Sequence, residues 1–286
     1  MMSQINKVPA SNGAQWLLDG FATLRKAPLA LGMIGLAWGL VSALVAVSGQ
    51  LWLNAILTVL GPVLFGGVVF AAREVEQGRN AHPLHLLQGL RDGKFVHFLA
   101  LLLPQVVALI VLAVLLVVMV GGDQLQHMVD VMEKLQASPE PDPALVESLP
   151  LNALFAWLIA VLVVSVVAGF FTFVAVPEVM LGDRGGFAAM GLSFRACLRN
   201  LGAVLVFMLL FVVMLFAITL AVQILVALLQ WMLGQAFAVF TGQLLLTAVL
   251  LPLLGGTLLS AWRYLLGAGA GLGVAPPPMP STGIEA

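Results

Sequence analysis

The chain has 286 residues, of which 62% are hydrophobic and 9% are charged, with a formal net charge of −1. Soluble domains carry roughly a quarter charged residues, so a soluble chain of this composition would expose large apolar patches that favour aggregation. The composition therefore excludes an ordinary soluble domain and favours an integral membrane protein.

Residues 1–12 are predicted to form an N-terminal cytoplasmic tail. They lack an apolar core followed by a small-residue cleavage site, so we expect no removable signal peptide. The next segment, WLLDGFATLRKAP (16–28), places Leu17, Leu18, Phe21 and Leu24 at helical spacing, with Arg25 and Lys26 at its end. This pattern predicts an amphipathic helix that lies in the membrane interface with its basic residues towards lipid phosphates.

Windows of about 20 apolar residues, long enough to cross a bilayer, predict spans at 28–48, 52–72, 96–120, 152–177, 201–230 and 236–262. The alternation typical of barrel strands is absent, and helices satisfy their own backbone groups in lipid. The predicted fold is an all-α integral membrane protein whose six transmembrane helices form three hairpins. An amphipathic interfacial helix on the cytoplasmic side precedes each hairpin.

Two further segments repeat the basic pattern before spans three and five, LHLLQGLRDGKF (84–95) and FAAMGLSFRACLRN (187–200). In the second, an apolar stripe leaves four polar residues away from it; the stripe is Phe187, Met190, Phe194, Cys197, Leu198 and Leu201, and the polar residues are Ser193, Arg195, Arg199 and Asn200. Aligning the segments makes Arg25, Lys94 and Arg199 equivalent. We predict that Arg25, Lys26, Lys94, Arg195 and Arg199 anchor lipid headgroups.

These similarities indicate repeat-like units at about 13–73, 82–178 and 186–263, within a single membrane domain at 13–265. The units also end alike, because PVLFGGVVFAAR (62–73) resembles PLLGGTLLSAWR (252–263). The alternative is that segments next to membranes acquire such composition independently. The glycine pairs here, and Gly35 with Gly39, predict close helix packing.

The segment 121–151 is predicted to lie outside the cell, with a surface helix at 123–137 that SPEPDP (138–143) ends. Residues 266–286 are rich in glycine and proline and are predicted to form a flexible cytoplasmic tail. Alternate assignment of the segments puts eleven of the 12 basic residues on the side of both termini and only Lys134 on the other. Because basic residues stay on the cytoplasmic side, both termini are predicted to be cytoplasmic.

Ionisable and polar residues at membrane depth are candidates for function. Glu178 could neutralise Arg184, Arg195 or Arg199, or be a solvated residue at a helix end. Gln105, Gln223 and Gln243 could line a polar path or form helix–helix contacts. His82 and His85 lack the further ligands of a metal site. We find no catalytic motif, and we expect no cofactor and no metal. The basic residues are spread over four segments, which favours lipid and membrane-protein partners over nucleic acid.

The pattern W-x-x-x-G-x-x-x-x-R-K-x-P (16–28) and the segment SFRACLRN (193–200) carry a resemblance to a known group. Over about residues 8–265 the chain resembles uncharacterised six-span inner-membrane protein families of proteobacteria, which are labelled as domains of unknown function. The resemblance implies a bacterial inner-membrane location and assigns no catalytic residue.

Three functions remain open at this point. The leading hypothesis is a non-enzymatic membrane protein that organises lipids or partner proteins. The alternative is a small-solute transporter or channel, which requires a polar cavity among the helices. An intramembrane enzyme comes third, because it needs paired ionisable residues at depth.

Overall fold

A computed structural model describes residues 5–137 and 148–267 of the chain, and this part of the chain is helical with no strand. The predicted helix break at 138–143 and most of the predicted C-terminal tail lie outside the described residues. The helices, in chain order, are α1 Asn12–Lys26, α2 Pro28–Ser48, α3 Leu51–Glu76, a 3₁₀ helix Pro83–Leu87, α4 Gln88–Arg91, α5 Phe95–Ala100, α6 Leu103–Val120, α7 Gly122–Ala137, α8 Leu151–Thr172, α9 Ala175–Leu181, α10 Gly186–Arg199, α11 Leu201–Leu233 and α12 Gln235–Leu266.

Six helical segments are long and apolar enough to cross a membrane. They are Pro28–Ser48, Leu51–Glu76, Phe95–Val120, Leu151–Leu181, Leu201–Met232 and Gln235–Leu266. Each begins within a residue of its predicted start. The prediction of an all-α membrane fold with six spanning helices is confirmed, and the protein is a multi-pass membrane protein.

The chain forms two compact units. The first unit takes its described residues from 1–50, 67–86 and 195–286, and the second from 51–66 and 87–194. Two helices, α3 and α10, each begin in the second unit and end in the first. These boundaries differ from those of the predicted repeats, and the repeats stay a prediction.

In the first unit, α12 packs against α1, α2 and α11, and α1 also packs against α11. The contact between α2 and α12 depends on glycine. A methyl group at Gly35 would lie 2.5 Å from the carbonyl oxygen of Thr247, and one at Gly39 would lie 3.2 Å from the Leu244 side chain. The predicted small-residue contact is confirmed. Close backbone approach matters here because lipid tails are as apolar as the helices, so van der Waals packing drives their association.

The predicted interfacial helix α1 also packs against protein. Trp16 has no exposed surface, and Gly20 lies so close to α12 that an added methyl would be 2.2 Å from Thr257 Oγ1. The predicted apolar stripe is consequently divided, since Leu17 is buried whereas Leu18 is 60% exposed. One face of α1 therefore docks on the protein, and the other remains available to the membrane.

In the second unit, α6 and α8 pack side by side, and α9 contacts α5 and α8. The Trp157 indole Nε1 donates a hydrogen bond to the carbonyl oxygen of Leu112 across the α6–α8 contact, over 3.1 Å. Span four is broken between α8 and α9, at Phe173 and Val174. The break follows from Pro177, whose ring clashes with the carbonyl group four residues earlier and which has no N–H to donate.

Two details of the interfacial segments differ from prediction. The segment before span three is a 3₁₀ helix followed by the short α4, because Gly93 takes a positive φ of 67° and ends the helix early. Ser193 on α10 and Asn200 just after it were predicted to lie away from the apolar stripe, but both are buried. The α7 helix, Gly122–Ala137, confirms the helix predicted at 123–137, and its position outside the cell stays a prediction.

One kind of contact occurs three times, each time inside a single unit. A methyl at Gly67 on α3 would lie 2.2 Å from the His85 carbonyl oxygen. Ser193 on α10 donates a hydrogen bond to the Phe170 carbonyl oxygen at the end of α8, over 2.7 Å. Gly20 on α1 lies against Thr257 of α12. In each case the closing span of one predicted repeat meets an interfacial segment, and a small residue permits the approach.

Candidate functional site

The ammonium group of Lys94 lies in a cradle of backbone carbonyl groups in the second unit. It donates hydrogen bonds of 3.0 Å each to the carbonyl oxygens of Val179, Met180 and Gly182. These groups belong to the end of α9, where carbonyls lack helical partners and a cation is favoured. Lys94 thus caps α9. Its predicted role as a lipid anchor stays untested, and its three donors are already used.

Glu178 lies on α9, is 6% exposed, and pairs with Arg184. The Arg184 Nη1 atom donates to Glu178 Oε1 over 2.8 Å. Arg184 is one of the three neutralising partners that we considered for Glu178. Carboxylate and guanidinium compensate each other across the turn between α9 and α10, so this ion pair stabilises the turn.

The hydroxyl group of Ser193 forms hydrogen bonds with the backbone groups that the break in span four leaves without helical partners. It accepts a hydrogen bond from the Val174 N–H over 3.1 Å and donates one to the Phe170 carbonyl oxygen. Both backbone groups sit where the helix is interrupted, and unsatisfied backbone groups are costly when buried. Sequence analysis placed Ser193 on a polar outer face. Pro177 could have indicated the true position of Ser193. A proline interrupts the helix and leaves backbone groups without helical partners, so a polar side chain from another helix has to bond them.

A polar cluster joins α1, α3 and α12 in the first unit, and it consists of Asp19, Thr23, Glu76, Ser260 and Arg263. The Ser260 hydroxyl donates to Asp19 Oδ2 over 2.5 Å, and the Thr23 hydroxyl donates to Glu76 Oε1 over 3.0 Å. Arg263 pairs with the same Glu76 carboxylate. The Arg263 guanidinium compensates the Glu76 carboxylate, and the Asp19 carboxylate accepts the Ser260 hydroxyl. The geometry therefore indicates that the cluster holds α1, α3 and α12 together.

Sequence analysis did not identify this polar cluster. The similarity between 62–73 and 252–263 placed Arg263 at the end of a repeat but gave no partner for it. The partners are far apart along the chain, since Asp19 and Ser260 are separated by 241 positions. Only the docking of α1 on α12, through Gly20, brings them together.

The remaining predicted lipid anchors are exposed. Arg25 and Lys26 lie in the last turn of α1, and Arg199 lies in the last turn of α10. Arg195 is also on the surface of α10. Exposed apolar side chains stand close to them in sequence, among them Leu18 and Leu198, which are 60% and 48% exposed. Both helices therefore expose cations in their last turns together with apolar side chains that water would not cover favourably.

The three glutamines within the spans are exposed as well. Gln105 lies on α6, Gln223 on α11 and Gln243 on α12. No hydrogen bond from their side chains occurs within the described chain. Gln105 belongs to the second unit, whereas Gln223 and Gln243 belong to the first. Their predicted roles in a polar path or in helix–helix contacts stay predictions.

A long apolar depression, here called the α6–α8–α10 groove, lies within the second unit. Its volume is about 570 Å³. It is lined by Leu103, Pro104, Val107, Ala108 and Val111 of α6, by Val163, Val164, Val167, Ala168 and Phe171 of α8, and by Phe187, Met190 and Gly191 of α10. No lining side chain carries a hydrogen-bonding group.

Metal ligation finds no support in the part of the chain that the structure describes, where no three His, Cys, Asp or Glu side chains meet in a suitable arrangement. His82 and His85 contact each other directly, because the backbone N–H of His82 donates a hydrogen bond to the ring atom Nδ1 of His85 over 3.2 Å. The His85 ring also packs edge-on against Phe70. These contacts stabilise the turn that follows α3.

The described residues thus form closely packed helices, a polar cluster that joins helix ends, exposed cations and an apolar groove. Comparisons with protein-family models, with curated proteins and with solved structures found no match to this chain. The structure by itself shows a multi-pass, all-α membrane protein.

Proposed function

We propose that the chain is a non-enzymatic protein of a bacterial inner membrane that organises anionic lipids around the basic ends of its helices. The observation that carries this proposal is the exposure of Arg25, Lys26 and Arg199 in the last turns of α1 and α10, two helices that also expose Leu18 and Leu198. Apolar side chains favour the acyl region, and each Lys or Arg near an anionic surface adds about 1 kcal/mol of attraction.

The proposed orientation puts both termini and these helix ends on the cytoplasmic side. Its support is the segregation of basic residues, since only Lys134 among the 12 falls in the opposite segments. The cytoplasmic leaflet carries the negative surface potential that attracts such segments. The resemblance to proteobacterial inner-membrane families agrees with this location.

Lipid selection by the full-length protein tests the proposal. The protein is reconstituted in nanodiscs with equal amounts of phosphatidylglycerol and phosphatidylethanolamine, and the lipids that remain bound are quantified by native mass spectrometry. We expect the wild type to retain phosphatidylglycerol in excess. The double variant Arg25→Gln/Lys26→Gln should lose most of this excess, because two headgroup contacts are removed.

The matched control is Arg79→Gln/Lys134→Gln, which removes two exposed positive charges elsewhere. Arg79 is already engaged by the Glu74 carboxylate, and Lys134 lies on α7. This control should keep the phosphatidylglycerol excess. Equal retention of both lipids by the wild type, or equal losses in both double variants, would refute the proposal.

The alternative function, a small-solute transporter or channel, is less well supported. A transport path needs polar groups that face a shared cavity. In the first unit Gln223 and Gln243 are exposed. In the second unit Gln105 is exposed, and Glu178 is neutralised by Arg184. These candidate path residues therefore do not converge inside either unit, and lipid organisation is the function that the geometry favours.

A further inference from the structure

The α6–α8–α10 groove lies at membrane depth. Its α6 and α8 walls belong to the candidate spans Phe95–Val120 and Leu151–Leu181. On α6 the lining residues run from Leu103 to Val111, which at about 1.5 Å per residue corresponds to about 12 Å along the helix. The groove thus follows the spans over a substantial part of one leaflet.

Two hydrogen-bonded contacts connect the walls of the groove and fix their positions. The Trp157 indole ties α8 to the Leu112 carbonyl of α6, just beyond one end of the lining. Near the other end, Ser193 ties α10 to the Phe170 carbonyl of α8. The Phe194 ring stacks on Phe171 with ring centroids 4.5 Å apart. Because both ends are fixed, the groove is a preformed feature of the unit.

The chemistry of the lining selects an apolar occupant. All 13 lining residues are Val, Leu, Ala, Phe, Met, Pro or Gly, so no side chain can hold water or a headgroup. A lipid acyl chain is such an occupant, and the bilayer around the spans that contain α6 and α8 supplies it at high concentration.

We propose that the α6–α8–α10 groove is a binding site for one acyl chain of a membrane lipid. Lipid tails are as apolar as the groove, so the preference for it comes from packing against fixed walls rather than from the hydrophobic effect. The site extends the proposed function from headgroups to acyl chains. It rests on that function only in requiring lipid as the ligand, and it does not involve Arg25, Lys26 or Arg199.

Photo-crosslinking in proteoliposomes tests this site. The probe is a phosphatidylglycerol with a diazirine in the middle of one acyl chain, and cross-linked peptides are mapped by mass spectrometry. We expect the labels to concentrate on 103–111 and 163–171, and an excess of unlabelled lipid to compete with them. Uniform labelling of all lipid-facing helices would overturn the proposal.

We expect the variant Gly191→Leu to occupy part of the groove and to keep the fold. A side chain at Gly191 points into open space, and replacing a glycine within a helix removes a backbone-entropy cost. Labelling of the groove should fall about tenfold, which corresponds to about 1.4 kcal/mol. The matched control is Gly169→Leu on α8, which also points into open space but does not line the groove. It should leave the labelling unchanged.

The remaining outcomes separate this inference from the proposed function. If Gly191→Leu labels like the wild type, or if position 191 cross-links to a second chain, the acyl-chain site is refuted. If Arg25→Gln/Lys26→Gln keeps groove labelling while the wild type shows no headgroup selection, the proposed function fails and the groove site stands.

Discussion

At the scale of residues, two polar side chains form hydrogen bonds with backbone groups that lack helical partners. Ser193 satisfies two backbone groups at the break in span four, and Lys94 satisfies three carbonyls at the end of α9. Neither role is visible in a local pattern, because each partner lies in another helix. The sequence did indicate the partner of Glu178, because Arg184 was one of the three that we considered. Its pairing with Arg184 is local, six positions along the chain, and local pairings can be predicted from sequence.

Replacing Ser193 tests the repair of the broken span. In Ser193→Ala the Val174 N–H loses its acceptor inside an apolar region, where an unsatisfied group costs about 1–3 kcal/mol. We expect a lower unfolding temperature in detergent and faster hydrogen exchange around 172–176. The control is Ser165→Ala on the exposed side of α8, which should leave both quantities unchanged. Equal stability of the two variants would contradict the role of Ser193.

At the scale of elements, glycine decides which helices meet. The sequence pattern identified Gly35, Gly39 and the glycine pairs as packing sites. In the structure, Gly35 and Gly39 lie against α12. Of the paired glycines, Gly66 lies against Phe98, Gly67 against the 3₁₀ helix, Gly255 against α3 and Gly256 against α1. Amphipathicity was less informative for α1 and α10. An apolar stripe predicts that a helix lies against something apolar, and it cannot distinguish membrane from protein. For this reason the burial of Ser193 and Asn200 was missed.

The docking of α1 on α12 is tested at Gly20. A methyl there would lie 2.2 Å from Thr257 Oγ1 and 2.8 Å from the Leu253 carbonyl oxygen, so Gly20→Ala must move α1 outward. Overpacking of this kind costs about 1–3 kcal/mol, and displacement would also weaken the bond between Asp19 and Ser260. Thermal unfolding in detergent should show the loss.

The matched control for Gly20 is Gly32→Ala on α2. A methyl at Gly32 would meet only the Ala248 carbonyl oxygen, at 4.0 Å, which is ordinary contact. Alanine is also a better helix former than glycine, so this variant should be as stable as the wild type or more stable. A destabilisation as large as that of Gly20→Ala would show that glycine loss itself, rather than close packing, is responsible.

For the whole molecule, the number and bounds of the spans could be predicted well, because length and apolarity are local quantities that the bilayer thickness constrains directly. The polar cluster around Glu76 could not, since its members come from three helices and meet only after folding. The groove was not predicted either. Its lining consists of ordinary apolar residues, and only the spacing of α6, α8 and α10 makes it a site.

The orientation of the spans relative to the membrane is the claim on which the lipid proposal depends. Cysteine labelling measures it directly, because the only native cysteine, Cys197, is buried. Lys134→Cys and Arg79→Cys are exposed sites for a membrane-impermeant maleimide. In intact spheroplasts we expect labelling of Lys134→Cys alone, with Arg79→Cys reacting only after permeabilisation. Labelling of Arg79→Cys in intact spheroplasts, with Lys134→Cys protected, would place the basic helix ends outside the cell and contradict the proposed function.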